Sequence, residues 1–243
     1  MIHFHIITLF PDAIEAYLSS SILGRAREAK PAKAGRRGKK PLIKISYYDP
    51  KKFAVGKHKR VDQRPYGGGP GMVLEPTAML RAAEAALKKM AKNKAIATSR
   101  LRLDVATVFF TTDGAQFDEA MAKKLSKKKQ ILLITGRYEG VDARVPKILS
   151  AKGGSASGGK VMRVSVGPYV LTGGELPAAT LVDAVSRFVP GVLGKIESLE
   201  RSRVSSPEVY TRPETLVWKG KKYRVPPVLK SGNHARIDAW RQR

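Results

Sequence analysis

Gln130-Ile-Leu-Leu-Ile-Thr135 runs straight into Gly136-Arg-Tyr-Glu-Gly-Val-Asp142. The first stretch is short and almost wholly apolar, the pattern of a parallel strand covered on both faces. The second is bracketed by glycines, which interrupt regular structure and let backbone turn sharply or approach a ligand closely. Arg137, Tyr138 and Glu139 therefore fall at the carboxyl end of a buried strand, where open α/β sheets bind their ligands.

The same pattern recurs on either side. Residues 2–10, 43–48, 105–111 and 161–166 are further short runs of β-branched or aromatic residues, and helical periodicities fall between them. Residues 11–24 read as one helix with Asp12 near its start, and residues 75–92 as another, with Met79, Leu80, Ala83, Leu87 and Met90 at helical spacing. The fold class is α/β, built on a parallel sheet. Phe109 to Gly114 and Ser165-Val-Gly-Pro-Tyr-Val-Leu-Thr-Gly-Gly-Glu-Leu-Pro177 follow two of these strands as Gly136 to Gly140 follows a third. Three loops can thus converge on one site made largely of main chain.

A third glycine-proline stretch, Arg64-Pro-Tyr-Gly-Gly-Gly-Pro-Gly-Met72, has two readings. Its amides can form an anion-binding nest, or it can be a rigid turn that brings Asp62 and Arg64 to a site. No Gly-Lys-Ser/Thr closes it and Pro70 removes a donor, so a nucleoside triphosphatase is disfavoured.

With 243 residues, 42% of them hydrophobic, the chain can bury a substantial core. Its 46 Lys and Arg against 20 Asp and Glu give a net charge of +26, which points to a polyanion as partner. A generally basic proteome would also carry such lysines. Residues 30–60 hold twelve of the basic residues and a single acid, Asp49. The absence of cysteine excludes disulfides and thiolate chemistry, and the four histidines show no metal-ligand spacing. The apolar start ends at Pro11-Asp12, too short for a membrane span, so the expected location is cytoplasmic, with no membrane partner. Residues 30–40 and 153–159 read as inserts of flexible composition. Composition then separates a main domain at 1–194, a mobile linker at 195–210 and a small C-terminal unit at 211–243.

Taken in order, Ile7-Thr-Leu-Phe-Pro11, Asp62 to Met72, Gly136 to Asp142, Val170-Leu-Thr-Gly-Gly-Glu-Leu-Pro177, Pro190-Gly-Val-Leu-Gly194 and Tyr210-Thr-Arg-Pro213 closely resemble the bacterial tRNA (guanine-N1)-methyltransferases, over about residues 1–234. The resemblance implies a SPOUT-class fold, a parallel α/β sheet whose C-terminal part forms a deep trefoil knot, a rare topology, followed by a small, mainly helical C-terminal unit that binds tRNA. It implies S-adenosylmethionine bound bent in the knot loops, Mg as a candidate accessory ion with no protein metal site, and an antiparallel homodimer with the active site at the subunit interface. The implied reaction is methyl transfer to N1 of the guanine at tRNA position 37. A non-catalytic RNA-binding relative and a ribosomal RNA methyltransferase of the same fold are the alternatives.

Matched position by position, the resemblance puts the cofactor against Phe110, Thr111 and Gly114, against Gly136, Tyr138, Glu139 and Gly140, and against Val166, Gly167, Tyr169, Leu171, Gly173, Gly174 and Pro177. Glycines suit such a ligand because main-chain groups can read adenine only where side chains do not hold it away. Glu139 is expected near the cationic sulfonium. Guanine N1 carries a proton and O6 gains negative charge as N1 is methylated, so a base and a cation are needed. Arg187 matches the cation. The family's aspartate base position is occupied by Ser202, which leaves Glu200, with Glu197 behind it, as the expected base. Asp62 matches a position implicated in RNA binding and turnover, and Lys57, His58, Lys59, Arg60 and Arg64 are expected on RNA.

Overall fold

All six residues of the first strand are buried, which requires cover on both of its faces. The computed structural model describes residues 1–29, 38, 40–91, 105–151, 160–193 and 208–242. In chain order these form β1 (Ile2–Ile7), α1 (Asp12–Leu18), α2 (Ser21–Arg27), β2 (Ile43–Tyr48), β3 (Asp62–Gln63), β4 (Val73–Leu74), α3 (Pro76–Ala91) and β5 (Val105–Gln116). There follow α4 (Glu119–Leu125), β6 (Gln130–Ile134), α5 (Arg144–Ser150), β7 (Met162–Ser165), α6 (Glu175–Arg187), β8 (Thr215–Trp218), β9 (Lys221–Arg224) and α7 (His234–Arg241). The chain divides into two compact units, Met1–Val192 and Leu193–Arg243.

In the first unit, five strands form one sheet in the order β2-β1-β6-β5-β7, and every pairing is parallel. Strand alternation deals residues to two cores. Phe4, Ile6, Ile131, Leu133 and Val108 pack with the buried faces of α1, α2, α4 and α6. Ile7, Leu132, Ile134 and Phe109 pack with α3 and α5. Glu75 starts α3, its carboxylate accepting from the amides of Thr77 at 2.8 Å and Ala78 at 2.6 Å, with Pro76 at the first helical position.

Two elements differ from the sequence reading. The helix expected over 11–24 is broken at Ser19–Ser20, where the Ser20 hydroxyl donates to the Tyr17 carbonyl at 2.8 Å and competes with helix continuation. Gly24, read as the end of that helix, lies inside α2, because a Cβ there would stand 2.1 Å from the Ser19 carbonyl oxygen. Strand β5 runs on to Gln116. Its pairing with β7 slips between Phe110 and Ala115, so residues 111–114 form a bulge.

In the described part of the second unit, α7 is accompanied by an antiparallel hairpin of β8 and β9 that the reading of a mainly helical unit did not anticipate. Its signal is the Thr-Leu-Val-Trp run before Lys219-Gly220, whose φ values of 48° and 75° make the two-residue turn that joins twisted strands. Among the described residues no helix is long and apolar enough to cross a membrane.

Candidate active site

At the carboxyl ends of β5, β6 and β7 the chain encloses a cavity of about 410 Å³, within the range of small-molecule sites. Its wall is built from the three loops singled out in the sequence. Phe110 and Thr111 come from β5, Gly136, Tyr138, Glu139 and Gly140 from the loop after β6, Val166, Gly167, Tyr169, Leu171, Gly173 and Gly174 from the segment between β7 and α6, and Pro177 from the first turn of α6. Gly114 is not on the wall. It lies in the β5 bulge, where a Cβ would sit 2.5 Å from the amide nitrogen of Val164, so its lack of a side chain serves strand packing.

The loops are tied to one another by main-chain hydrogen bonds. The Gly174 amide donates to the Gly136 carbonyl at 2.8 Å, and Arg137 and Gly173 form an isolated antiparallel bridge. Arg137, on the wall but outside the sequence-derived set, is held from several directions. Its Nε is 3.0 Å from Oε2 of Glu175, its Nη1 donates to the Thr172 carbonyl at 3.2 Å, and its guanidinium lies 4.6 Å from the Phe10 ring centroid. Glu175, 3% exposed, also accepts from the Thr8 hydroxyl at 2.8 Å and sits in the first turn of α6, where the helix dipole favours a carboxylate. The sequence reading missed this clamp. Its one visible signal was an acid directly after Gly173-Gly174 at a helix start.

Gly140 has φ +121° and nothing within 4 Å of the point where a Cβ would stand. Its conformation excludes other residues, and the space beside it stays open. The cavity thus combines exposed main chain, apolar walls and Glu139, the only carboxylate on the described lining. Arg137 and Arg163 stand on the same lining, so the wall suits a small aromatic ligand that carries both a cationic and an anionic group.

The glycine stretch at 67–71 reaches this cavity from outside. Gly67, Gly68, Gly69 and Gly71 all have positive φ, and a Cβ on Gly71 would overlap the Glu139 side chain at 2.4 Å. Glu139 donates its amide to Met72 at 2.9 Å, Leu74 donates to Gly140 at 2.9 Å, and Asp142 donates to Leu74 at 3.0 Å. Asp62 pairs with Leu74 across β3 and β4, so the arm that carries Asp62 is joined to the cavity wall. Lys57, His58, Lys59, Arg60 and Arg64 are exposed along that arm, and Gly56 and Lys59, both at positive φ, make its turn.

Arg187 stands elsewhere. At the last residue of α6 it lines a second, largely apolar groove of about 470 Å³ with Ile14, Tyr17, Leu176 and Asp183, and the Tyr17 hydroxyl donates to Asp183 across it. That bond raises the Tyr17 hydroxyl above its usual pKa. Arg187 is therefore not on the wall of the glycine-lined cavity. Glu197, Glu200 and Ser202, with the inserts at 30–37 and 153–159, lie outside the described residues. Among the described residues no group of three or more His, Asp or Glu is placed to hold a metal.

A family model described as tRNA (Guanine-1)-methyltransferase TrmD matches residues 2–243. Among curated proteins, the chain is 41% identical to the tRNA (guanine-N(1)-)-methyltransferase of Anaeromyxobacter sp. (strain Fw109-5), covering 98% of this chain and 83% of that one. It is 36% identical to the protein of the same name from Clostridioides difficile (strain 630), covering 98% and 90%, and 37% identical to that of Pasteurella multocida (strain Pm70), covering 98% and 84%.

Proposed function

Because the chain belongs to the tRNA (guanine-N1)-methyltransferase family, we propose that it methylates N1 of the guanine at position 37 of tRNA, in the cytoplasm, with S-adenosylmethionine held in the glycine-lined cavity. The observation that carries this reading is the convergence of thirteen of the fourteen sequence-derived cofactor positions on one cavity wall. The residues fit the group. Gly136 and Gly140 put no side chain between the wall and a purine, Leu171, Val166 and Pro177 give apolar cover, and Glu139 offers a negative charge. When bound, S-adenosylmethionine supplies an activated methyl on a sulfonium that leaves as a neutral thioether.

The chain's own residues do the rest. Glu139 balances the cationic end of the cofactor. Glu200, with Glu197 in reserve, takes the N1 proton in place of the aspartate that Ser202 displaces. Arg187 stabilises the charge that gathers on guanine O6. Because it lies on a groove apart from the cavity, a complete site needs a second protomer, which supports a homodimer with shared sites. In this reading the segment that carries the 173–174 loop, bonded to the 136–137 loop, is part of a deep trefoil knot.

Asp62 and the exposed Lys57, His58, Lys59, Arg60 and Arg64 receive the anticodon branch beside the cofactor. The unit at 211–243, helped by the basic insert at 30–40, grips the stem. Titration calorimetry tests the pocket. Saturable binding of one S-adenosylmethionine per cavity is expected, and no binding at millimolar cofactor would contradict the reading.

A further inference from the structure

The hairpin of the second unit has a chemical asymmetry. Trp218 pairs with Lys221 and Leu216 with Tyr223, while Val217 pairs with Lys222 and Thr215 with Arg224. Directly opposed residues share a face and successive residues alternate. Leu216, Trp218, Lys221 and Tyr223 therefore stand together on one side, and both aromatic rings are on it. Trp218 is 62% exposed and Tyr223 54% exposed. They are diagonal neighbours, roughly 7–8 Å apart by strand geometry, a spacing over which successive bases can lie.

The surroundings narrow the occupant. Residues 215–224 contain Lys219, Lys221, Lys222 and Arg224 and no acid. Lys222 and Arg224 stand on the opposite face, but Lys221 beside the two open rings and Lys219 in the adjoining turn are a poor match for an apolar protein surface. They match a polyanion whose monomers carry π faces, since stacking on aromatic side chains tolerates any base while cations track the phosphates.

We propose that this face of the hairpin is a stacking platform for unpaired bases of tRNA, with Trp218 and Tyr223 holding base planes and Lys221 and Lys219 neutralising the flanking phosphates. It rests on the reading of tRNA as substrate and assigns to the second unit a recognition of unpaired nucleotides beyond charge alone.

The chain has two tryptophans, so Trp240→Phe leaves Trp218 as the sole reporter. Its emission is expected to be quenched saturably by an unmodified tRNA transcript and not by a blunt RNA duplex of equal length. Trp218→Ala is expected to weaken tRNA binding roughly tenfold or more, with an unchanged salt slope and unchanged cofactor affinity, and Trp218→Phe to recover most of the loss. Lys221→Met is expected to lower the salt slope by about one. Emission that stays unchanged at saturating tRNA, equal quenching by the duplex, or wild-type tRNA affinity in Trp218→Ala overturns the platform. If the wild-type protein methylates tRNA while these results fail, the platform alone falls; if it neither binds nor methylates tRNA, the substrate reading falls with it.

Discussion

Nε of Arg137 lies 3.0 Å from Oε2 of Glu175, the first from the loop after β6 and the second from the opening turn of α6. Neither atom completes a hydrogen bond, so the contact is one of charge with charge. Gly173 threads between them, since a Cβ there would stand 2.4 Å from that Nε and 2.5 Å from that Oε2. The pair thus clamps the loop that supplies the far wall of the cavity. Glu175→Gln keeps an acceptor for Thr8 but leaves the Arg137 guanidinium without its counter-charge. It should lower stability by about 3 kcal/mol, the lower end for loss of one partner of a buried pair, and weaken cofactor binding; denaturant unfolding and calorimetry read the two effects.

Gly174→Ala tests the main-chain architecture of the site. Its Cβ would stand 2.8 Å from Cα and Cβ of Thr135, forcing the start of α6 away from the end of β6. Cofactor affinity should fall at least tenfold, with a stability loss of about 1–3 kcal/mol, the range for overpacking. Calorimetry alongside thermal melts checks this, and unchanged affinity would show that the 173–174 loop does not form the pocket.

What the sequence made legible follows from how local each signal is. The strand at 130–134 and the loop at 136–140 could be read because an apolar run and bracketing glycines are contiguous, and the structure places both at the cavity. Gly114 was read as part of the site because it follows the same kind of strand, yet a slip in pairing with β7, a contact from about fifty residues away, assigns it to a bulge. The burial of Glu175 likewise depends on tertiary partners, the reach of Thr8 and Arg137, whereas the break at Ser19–Ser20 turns on one local side-chain bond that residue type alone does not single out. Arg187 was identifiable as a chemical type, but only coordinates reveal that it faces a different groove.

That separation makes subunit complementation decisive for the shared site. Arg187→Ala alone should abolish transfer with cofactor affinity nearly intact. Mixed and reassembled with Gly174→Ala, it should recover about a quarter of wild-type activity, because half of randomly assorted dimers are mixed and each has one intact site. No recovery in a verified heterodimer would place Arg187 and the cofactor loops of the same protomer in one site.

His3 and His5 give the fold a pH dependence. Their rings are 3.8 Å apart. His5 Nε2 donates to Gln130 Oε1 at 2.8 Å, so its Nδ1 accepts from the Tyr48 hydroxyl at 2.8 Å, and His3 Nε2 meets Ser46 Oγ at 2.9 Å. Burial, then the neighbouring His5 and the charges of Lys44 and Lys89, lowers His3 to about 3. Burial also lowers His5 to about 4 against the opposing pull of Gln130. Both are neutral in the folded protein while the unfolded chain takes up protons near pH 6.5. The unfolded state then binds more protons as pH falls below that value, so stability is full above it and declines toward pH 4. Between pH 7 and pH 5.2, above most carboxylate titration, the loss should be about 3 kcal/mol. Urea unfolding across that window checks it, and constant stability would contradict neutral, buried histidines.

Methyl transfer from labelled S-adenosylmethionine to unmodified tRNA, with guanine or adenine at position 37, tests the central claim most directly. The account predicts label at N1 of guanine 37, none in the adenine transcript, and a severe loss of rate in Glu200→Gln that Ser202→Asp reverses. Tight cofactor binding without transfer to either RNA would contradict it.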